Sequence, residues 1–343
     1  MERRQLHSRF RFLALAVLLS TLVVPLGIAN PRPVANGQDG DEFDFTINEA
    51  FLNKLASDDT LVQTMNVKMQ AHSSLHSLSS DCEMHVAGSA QGVSMGSPSA
   101  IVVEPPNLCL FVPPGVSKSP GSFWPKNFDD NVISKTCEVK GFFRIFTEHA
   151  SGTPTPSNPN HVFEVHPALS IKCGDNEISF KTFLSAPEGL RAIKATTATI
   201  CMTRSLQVRF KNNRYEFQEG TQQCGNFAII EITNLNQAWV HKMNGGHSAI
   251  ARVSADGLST TTLKLYTLEG TDADDWMEAV RLNGMTDDRK LFHGLFTYDY
   301  QSIIRTLKAG GNTLTKPSAF TTVRFPMALV VFGDTETVPW EEQ

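Results

Sequence analysis

The sequence predicts a mainly β protein in which a small Greek-key barrel is followed by a second α+β unit. Five short segments between residues 64 and 185 alternate apolar and polar residues with the two-residue period of β-strands. Turn-forming residues separate these segments, which disfavours the helical crossovers of a parallel sheet. Beyond residue 190, short strand patterns are interspersed with two helical patterns. These observations place a barrel domain at residues 64–185 and an α+β domain at residues 190–343.

The N-terminus has the three parts of an export signal. Four arginines precede an apolar run at residues 12–26, and Gly27 and Ala29 stand where signal peptidase reads small residues. The apolar run is shorter than a comfortable membrane span of about 20 residues. We therefore expect residues 1–29 to be a bacterial-type signal peptide that is removed, which leaves no membrane span. The mature protein is then extracytoplasmic, either periplasmic or secreted.

The net charge of the mature protein favours some classes of ligand over others. Removal of four arginines and one glutamate with residues 1–29 takes the formal net charge from −5 to −8. An acidic chain repels phosphate backbones on average, which disfavours nucleic acid. A carbohydrate or a protein is the favoured kind of partner.

Residues 30–63 are predicted to be a linker followed by a short helix. Residues 30–44 are rich in Pro, Gly and Asp, and residues 46–49 form a capping box with Thr46 as N-cap and Glu49 reaching back. The alternation then predicts the barrel strands at residues 67–71, 82–86, 101–104, 139–146 and 162–171. Five short strands in this length fit a small OB-like Greek-key barrel.

The C-terminal half continues with strands and two helices. A hairpin at residues 206–217 turns at Asn212-Asn213, and Asp256-Gly257 joins two further strands. Acidic residues in the first turn favour a helix at 271–282, and Gly310-Gly311 closes a second helix. In chain order, the predicted elements after the hairpin are strands at 227–232, 249–253 and 260–268, helices at 271–282 and 300–307, and a strand at 323–332.

Six cysteines in an exported chain indicate disulfides. In the predicted barrel, the start of the second strand and the end of the third are neighbours, which pairs Cys82 with Cys109. The start of the fourth strand and the end of the fifth are likewise adjacent. The remaining two cysteines flank the hairpin at 206–217. The predicted disulfides are Cys82–Cys109, Cys137–Cys173 and Cys201–Cys224.

Two Glu-x-His pairs mark a candidate site. Residues two apart on a strand face the same way, so Glu83 and His85 share a face, as do Glu164 and His166. In OB topology the third strand, which ends at Glu104, lies between the second and the fifth. Five side chains would then lie side by side and suit a divalent metal or an acid/base pair, with His85, His166 and Glu164 as candidate metal ligands. The competing interpretation is a hydrogen-bonded polar ladder across strands.

Motifs in the same region carry a resemblance. Their order is similar to that of a group of bacterial exported OB-type, thermonuclease-like barrel domains with a D-x-D-x-H strand, an E-x-P edge, a later Cys and an E-x-H-P strand. The resemblance covers roughly residues 67–173 and implies an exported barrel rather than a particular activity. The matching stretches are Asp81 to His85, Val103 to Pro106 with Cys109, Val139 to Gly141 with His149 and Gly152, and Pro159-Asn160 with Phe163 to Leu169.

Other motifs favour plain structural interpretations. The G-x-S-x-G match at residues 92–96 is followed by Pro98 instead of the helix that a nucleophile elbow needs. His72, His76 and His85 flank a serine-rich loop and lack a zinc-protease spacing, and the acidic run at 272–275 lacks the glycine and glutamate of a calcium loop. Phe142, Arg144 and Phe146 could stack bases on one strand face, but core packing is favoured.

The leading functional hypothesis is therefore an exported, non-enzymatic binding module on an OB-like barrel, with unknown ligand. A metal-dependent hydrolase that uses the two Glu-x-His pairs is the alternative, with a divalent metal as its cofactor. Thermonuclease-like enzymes rely on arginines near the scissile phosphate, and no arginine lies between Asp81 and Lys140. A structural envelope protein is the third hypothesis.

Overall fold

The computed structural model describes residues 44–57, 60–150, 152–185, 191–219, 224–257, 259–284, 289–310 and 319–334. The predicted signal peptide and the linker up to residue 43 lie outside these residues. The strands within them are β1 Phe45–Asn48, β2 Val62–His72, β3 Val86–Ala90, β4 Gly96–Ser97, β5 Ala100–Val103, β6 Thr136–Ile145, β7 Phe163–Cys173, β8 Asn176–Ser179, β9 Ser205–Lys211, β10 Arg214–Gln218, β11 Phe227–Thr233, β12 Val240–Met243, β13 Gly246–Ser254, β14 Thr260–Leu268, β15 Lys290–Tyr298, β16 Thr321–Arg324 and β17 Met327–Asp334. The helices are α1 Glu49–Ser57, α2 Pro120–Asn131, α3 Ala195–Thr203, α4 Asp272–Asn283 and α5 Tyr300–Ala309.

The predicted five-stranded barrel is present. Its strands follow the order β5-β3-β2-β6-β7, and a parallel pairing of β5 with β7 closes the sheet. Along β2, Met65, Val67 and Met69 are buried while the residues between them are exposed, which is the alternation that predicted the strand. Helix α2 connects the third barrel strand, β5, to the fourth, β6. This connectivity is that of an OB-type Greek-key barrel.

The barrel bends sharply at Gly141 on β6. The register between β6 and β7 shifts on both sides of this residue. A Cβ at this position would lie 2.5 Å from the carbonyl oxygen of Pro167 and 2.6 Å from Val165 Cγ1. A bulged, closely approaching strand gives the curvature that a small barrel needs to close. Glycine is therefore required where β6 crosses β7.

The predicted α+β unit also closes into a barrel, with the same connectivity as the first. Its strands follow the order β11-β15-β17-β14-β13, and a pairing of β11 with β13 closes the ring. The third and fifth strands, β14 and β17, are parallel neighbours, as β5 and β7 are in the first barrel. Helix α4 joins the third strand to the fourth, as α2 does. The described chain thus contains the same supersecondary pattern twice, a repeat that the sequence patterns do not predict.

The end of the second barrel differs from its prediction. The alternation does not reveal β15, and the predicted final strand at 323–332 is two strands. β16 pairs with β9 in a separate sheet, whereas β17 pairs with β14 and β15. Phe325 has a left-handed φ of 53°, and Pro326 lacks an N–H, so neither residue continues a strand ladder.

A third sheet, in the order β16-β9-β10-β1-β4, joins distant parts of the chain. The predicted hairpin of β9 and β10 is confirmed, with positive φ values of 53° and 60° at Asn212 and Asn213. The predicted capping of α1 by Thr46 is wrong. Thr46 lies in β1, paired with Glu216 of β10, and the helix begins at Glu49. The β-prone sequence around Thr46 pairs with a distant strand instead of entering the helix.

The two barrels pack against each other through their outer faces. The ring of Phe142 on β6 lies 5.7 Å from that of Tyr266 on β14. The amide of Ile145 donates a hydrogen bond of 2.9 Å to the hydroxyl of Tyr300. A separate cluster of buried apolar side chains forms this contact. Its members are Leu61, Phe142, Leu169, Leu184, Phe227, Tyr266, Leu268, Leu295, Ala328, Val330 and Phe332.

All three predicted disulfides are confirmed. Cys82 is bonded to Cys109, Cys137 to Cys173 and Cys201 to Cys224. They enclose sequence separations of 27, 36 and 23 residues. Three disulfides indicate an oxidising, extracytoplasmic environment. In the part of the chain that the structure describes, no helix has the length and apolarity needed to cross a membrane.

Candidate functional site

The five predicted site residues come together on the outer face of the first barrel. On β7, Glu164 and His166 alternate with Phe163 and Val165, which face the barrel core. β5 lies between β3 and β7 as predicted, and Glu104 follows β5 directly. The site is buried, with relative exposures of 0% for Glu83, 5% for His85, 0% for Glu104, 1% for Glu164 and 0% for His166.

The predicted strand position of Glu83 and His85 is wrong. β3 begins only at Val86, where its ladder with β2 ends. The preceding residues are held by the serine-rich loop instead: the carbonyl of His85 accepts a 2.9 Å hydrogen bond from Ser73, and that of Glu83 accepts one of the same length from His76. This extended connection still delivers both side chains to the site.

His166 is the centre of the cluster. Its Nε2 lies 3.1 Å from Glu83 Oε1, and its Nδ1 lies 2.8 Å from Glu104 Oε2. The same Nδ1 is 3.6 Å from Glu164 Oε2 and 3.3 Å from Arg144 Nη1. One imidazole therefore contacts three carboxylates at once. We refer to Glu83, Glu104 and His166 as the buried triad.

Several polar atoms of the cluster have no hydrogen-bond partner among the described residues. The short contact between Glu104 and His166 is not aligned as a hydrogen bond, so both oxygens of Glu104 lack a donor. Oε2 of Glu83, Nε2 of His85, Nη2 of Arg144 and Nε2 of His161 are also without partners among the described residues. Buried polar groups in folded proteins are almost always paired, so six unmatched atoms in one cluster require an explanation.

Arg144 links the site to the second barrel through hydrogen bonds. Its Nη1 donates to Glu164 Oε2 at 2.5 Å and to Asn226 Oδ1 at 2.6 Å, and its Nε donates to the carbonyl of Phe296 at 2.5 Å. The guanidinium also lies 4.2 Å from the ring centroid of Phe146. The sequence analysis considered Arg144 with its flanking aromatics as a base-stacking stripe and favoured core packing. That preference is confirmed, because all three side chains are buried between the barrels.

His161 is a site residue that the sequence analysis missed. It is fully buried, and its Nε2 lies 3.4 Å from Glu164 Oε1. It stands in the turn-rich segment before β7, outside the strand pattern on which the prediction relied. The spacing of His161, Glu164 and His166 was the available signal.

Burial dominates the electrostatics of the cluster. It raises the pKa of Glu83 to about 8, against the opposing influence of His166. Burial also acts to raise the pKa of Glu104, but His166 and His85 together outweigh it and bring that pKa to about 2. At Glu164, Arg144 together with His161 and His166 outweighs burial and holds the pKa well below its usual range. Burial would lower the pKa of His166, yet Glu83 and Glu104 raise it well above its ordinary value.

The donor atoms form groups of metal-binding size. One ligating atom from each member of the buried triad lies within 4.8 Å of the other two. Glu104, His161 and Glu164 form a second such group, which shares Glu104 with the first. Carboxylates combined with imidazole suit divalent transition metals better than Ca²⁺ or Mg²⁺, which prefer oxygen ligands alone.

The cluster extends to the protein surface. His76 Nδ1 lies 2.6 Å from Asp81 Oδ1, and these side chains are 24% and 23% exposed. The rings of His76 and His85 have centroids 4.8 Å apart. His72, which the sequence analysis grouped with them, instead pairs with Asp129 at 3.1 Å. We refer to His76, Asp81 and His85 as the surface triad.

The remaining sequence motifs have the structural roles that were predicted. Ser94 of the G-x-S-x-G match is exposed and is followed by the short strand β4 instead of a helix. The three aspartates at 272–275 lie in the first turn of α4, and the Thr271 side chain caps that helix by accepting from the Asp274 amide.

The fold and site together define a class: a disulfide-bonded protein of two OB-type barrels with a buried carboxylate–imidazole cluster between them. Comparisons of the chain with protein-family models, with curated proteins and with solved structures find no match. The resemblance to exported, thermonuclease-like barrel domains therefore stays a prediction.

Proposed function

We propose that the protein is an exported binding protein that holds a divalent transition-metal ion at the buried triad. The observation that carries the proposal is that, among the described residues, neither oxygen of the fully buried Glu104 side chain has an aligned hydrogen-bond donor. A bound cation would satisfy these oxygens and the unmatched Oε2 of Glu83 together. The proposed setting is the periplasm or the exterior of a bacterial cell, after removal of residues 1–29.

A polar ladder accounts for the cluster less completely than a metal ion does. The imidazole of His166 has aligned hydrogen bonds with Glu83 at Nε2 and with Arg144 at Nδ1, whereas its contact with Glu104 is not aligned as one. Leaving a buried acceptor unpaired costs about 1–3 kcal/mol, more when it is charged. Metal–ligand distances of about 2.0–2.2 Å put neighbouring tetrahedral donors about 3.3 Å apart. His166 can give only one ring nitrogen to an ion, and one ligating atom from each member of the buried triad lies within 4.8 Å of the other two, so the donors would have to close in by up to about 1.5 Å.

Charge supports a single divalent ion. Glu83, Glu104 and Glu164, when ionised, carry three negative charges, and Arg144 carries one positive charge. In the metal-free protein the raised pKa values of Glu83 and His166 leave a proton on each side chain, which makes the cluster neutral, and a divalent cation that displaces these two protons keeps it neutral. Uncompensated charge inside a protein is strongly unfavourable, so this match favours one ion for the whole cluster.

The burial of the ligands favours binding over hydrolysis. A hydrolytic metal keeps an open position where substrate and water meet it. Here the members of the buried triad have exposures of 0%, and Arg144 with the second barrel lies over the neighbouring Glu164. The hydrolase hypothesis requires the two barrels to separate at this contact, so that substrate and water can reach the metal. A purely structural envelope protein, the third hypothesis, implies that no ion binds.

Metal titration of the purified protein tests the proposal. Chelator-treated protein is titrated with Zn²⁺ and with Mn²⁺ by calorimetry, and the retained metal is measured by elemental analysis. We expect one tightly bound ion per chain and an affinity at least about 100-fold lower in Glu104→Gln, which preserves side-chain shape. His241→Gln changes an exposed histidine on β12 and serves as the matched control. Absence of retained metal in the wild type, or equal affinity in Glu104→Gln, would contradict the proposal.

A second candidate ligand, an acidic oligosaccharide, is favoured by a groove on the second barrel. The groove has a volume of about 410 Å³, and three of the eight exposed large apolar side chains line it. Exposed aromatic rings and arginines suit sugar rings and carboxylates respectively, and the acidic remainder of the chain makes a basic groove stand out. The apolar side chains are Trp239, Ile250 and Phe325, and the cations are Lys264, Arg305 and Arg324.

Binding of an oligogalacturonate tests this second ligand. Trp239→Ala should abolish binding, whereas Leu282→Ala, which removes an exposed apolar side chain from α4, should leave it intact. A neutral oligosaccharide should bind weakly. Tighter binding of single-stranded DNA than of the oligogalacturonate would contradict the choice of ligand.

A further inference from the structure

The surface triad and the buried triad are joined by a continuous series of ligand-type atoms. His85 belongs to the surface triad, and its Nε2 lies 3.8 Å from Glu104 Oε1. Glu104 in turn contacts His166 at 2.8 Å. The two steps inward from His85 are each shorter than 4 Å, and the ligating atoms of the surface triad lie within 4.8 Å of one another. A metal ion could exchange ligands along this series without ever being left without a donor.

The surface triad has the features of a binding position in its own right. Its three ligating atoms lie within 4.8 Å of one another. His76 Nδ1 lies 2.6 Å from Asp81 Oδ1, so the carboxylate and the imidazole are held side by side at the surface. His85 is 5% exposed, and its unpartnered Nε2 faces the interior of the cluster. The surface triad is thus partly exposed to solvent at His76 and Asp81 and adjoins the buried cluster at His85.

A second edge of the cluster lies at His149, which is a weaker candidate. Its ring is 5.4 Å from that of His85 and 5.2 Å from that of His161. Its Nδ1 contacts the Asn158 amide at 3.4 Å. No carboxylate lies within ion-pair distance of His149 among the described residues, so that edge offers a cation imidazole nitrogen alone.

We infer that the surface triad is the loading position through which a divalent ion reaches the buried triad. This inference rests on the proposed metal-binding function. The ion is first bound by His76, Asp81 and His85. It then gains Glu104 while still held by His85, loses His76 and Asp81, and completes its coordination with Glu83 and His166. In the last step the ion displaces the protons of Glu83 and His166, which pass to solvent, and no oxidant or reductant is needed.

The kinetics of zinc uptake test this role. Chelator-treated protein is mixed with Zn²⁺ buffered by a fluorescent chelator, and transfer is followed by stopped flow. We expect His76→Gln to slow uptake and release by about tenfold, with an unchanged equilibrium affinity. His72→Gln is the matched control, because His72 is also a part-buried histidine paired with an aspartate, Asp129, but lies outside the series. Its rates should equal those of the wild type.

The outcomes separate this inference from the proposed function. Wild-type protein that retains no Zn²⁺ would overturn the proposed function. Wild-type protein that binds Zn²⁺, together with a His76→Gln variant that loads at the wild-type rate, would overturn the loading role alone. Loss of equilibrium affinity in His76→Gln would also overturn it, since His76 would then be a ligand of the final site. Circular dichroism of each variant verifies that the fold is retained.

Discussion

Where the two barrels meet, each buried charged side chain depends on a specific partner. Arg144 and Glu164 have exposures of 1% and form a pair that a water molecule cannot easily replace. Removal of one partner from such a pair leaves an unpaired charge and typically destabilises a protein by about 3–5 kcal/mol. The carbonyl of Phe296 and the side chain of Asn226 accept further hydrogen bonds from Nε and Nη1 of Arg144, while its Nη2 has no partner among the described residues. The buried charge of Arg144, on the first barrel, therefore depends on hydrogen-bond acceptors from the second half of the chain.

Glu148 provides a pH prediction at this scale. Burial raises its pKa to about 8, assisted by Glu164 and Glu104 and opposed by Arg144. Between its ordinary pKa and about pH 8, the unfolded chain releases this proton while the folded chain keeps it. The free energy of unfolding of the metal-free protein should therefore fall as pH rises, by at most about 1.4 kcal/mol per pH unit from this group.

Urea unfolding at pH 5 and pH 8 measures the effect. Glu148→Gln keeps the shape of the side chain but cannot ionise, so its loss of stability between these pH values should be smaller than that of the wild type. Glu83 contributes in the same direction in both proteins and cancels from the difference. An identical pH dependence in wild type and variant would show that Glu148 is not held protonated.

At the level of secondary-structure elements, strand curvature decides where the site lies. The register shifts around Gly141 bend β6 where it crosses β7, close to Arg144 on β6 and Glu164 on β7. The Arg144–Glu164 pair lies directly across that ladder. The bulge thus sets which side chains of β6 and β7 face the second barrel.

Gly141→Ala should destabilise the protein. The new methyl group would meet a backbone oxygen at 2.5 Å, so β6 and β7 would have to separate. Overpacking of this kind costs about 1–3 kcal/mol. Gly121→Ala on α2 is the control, because a Cβ there has no atom within 4 Å, and it should be neutral or slightly stabilising. Thermal unfolding compares the two, and equal stabilities would show that the barrel accommodates a Cβ at residue 141.

At the scale of the whole molecule, the two barrels enclose the site between them. The ring of Phe227 on β11 meets His166 edge-on, with centroids 5.5 Å apart. Phe227 also contacts Phe332 of the second barrel. The apolar part of the contact therefore seals the polar part from solvent, which strengthens electrostatic interactions within the cluster.

We expect Phe227→Ala to let solvent reach the polar cluster. Loss of a buried phenylalanine typically costs about 3–5 kcal/mol of stability. Phe292→Ala is the matched control, since Phe292 is equally buried but packs against Trp276 in a different cluster of buried side chains. Both variants should lose stability, but only Phe227→Ala should release bound Zn²⁺ faster to a chelator. Equal release rates would show that the barrel contact does not seal the site.

The sequence by itself determined the features that depend on local alternation. The inward and outward faces of β2 and β7 follow from the strand period, and so does the shared face of Glu164 and His166. Two of the three disulfides followed from which strand ends are neighbours in a closed barrel, and the third from the two cysteines that flank the predicted hairpin. These properties are predictable because apolar alternation records directly which face of a strand is buried.

Only the tertiary structure decided the rest. β1 pairs with β10 across the chain, and the closure of the second barrel depends on β15, whose alternation is obscured because most of its residues are buried on both faces. The interface that buries His166 involves Asn226, Phe227 and Phe296, which no local pattern links to the first barrel. Contacts between distant residues depend on how whole elements pack, and sequence periodicity carries no record of that packing.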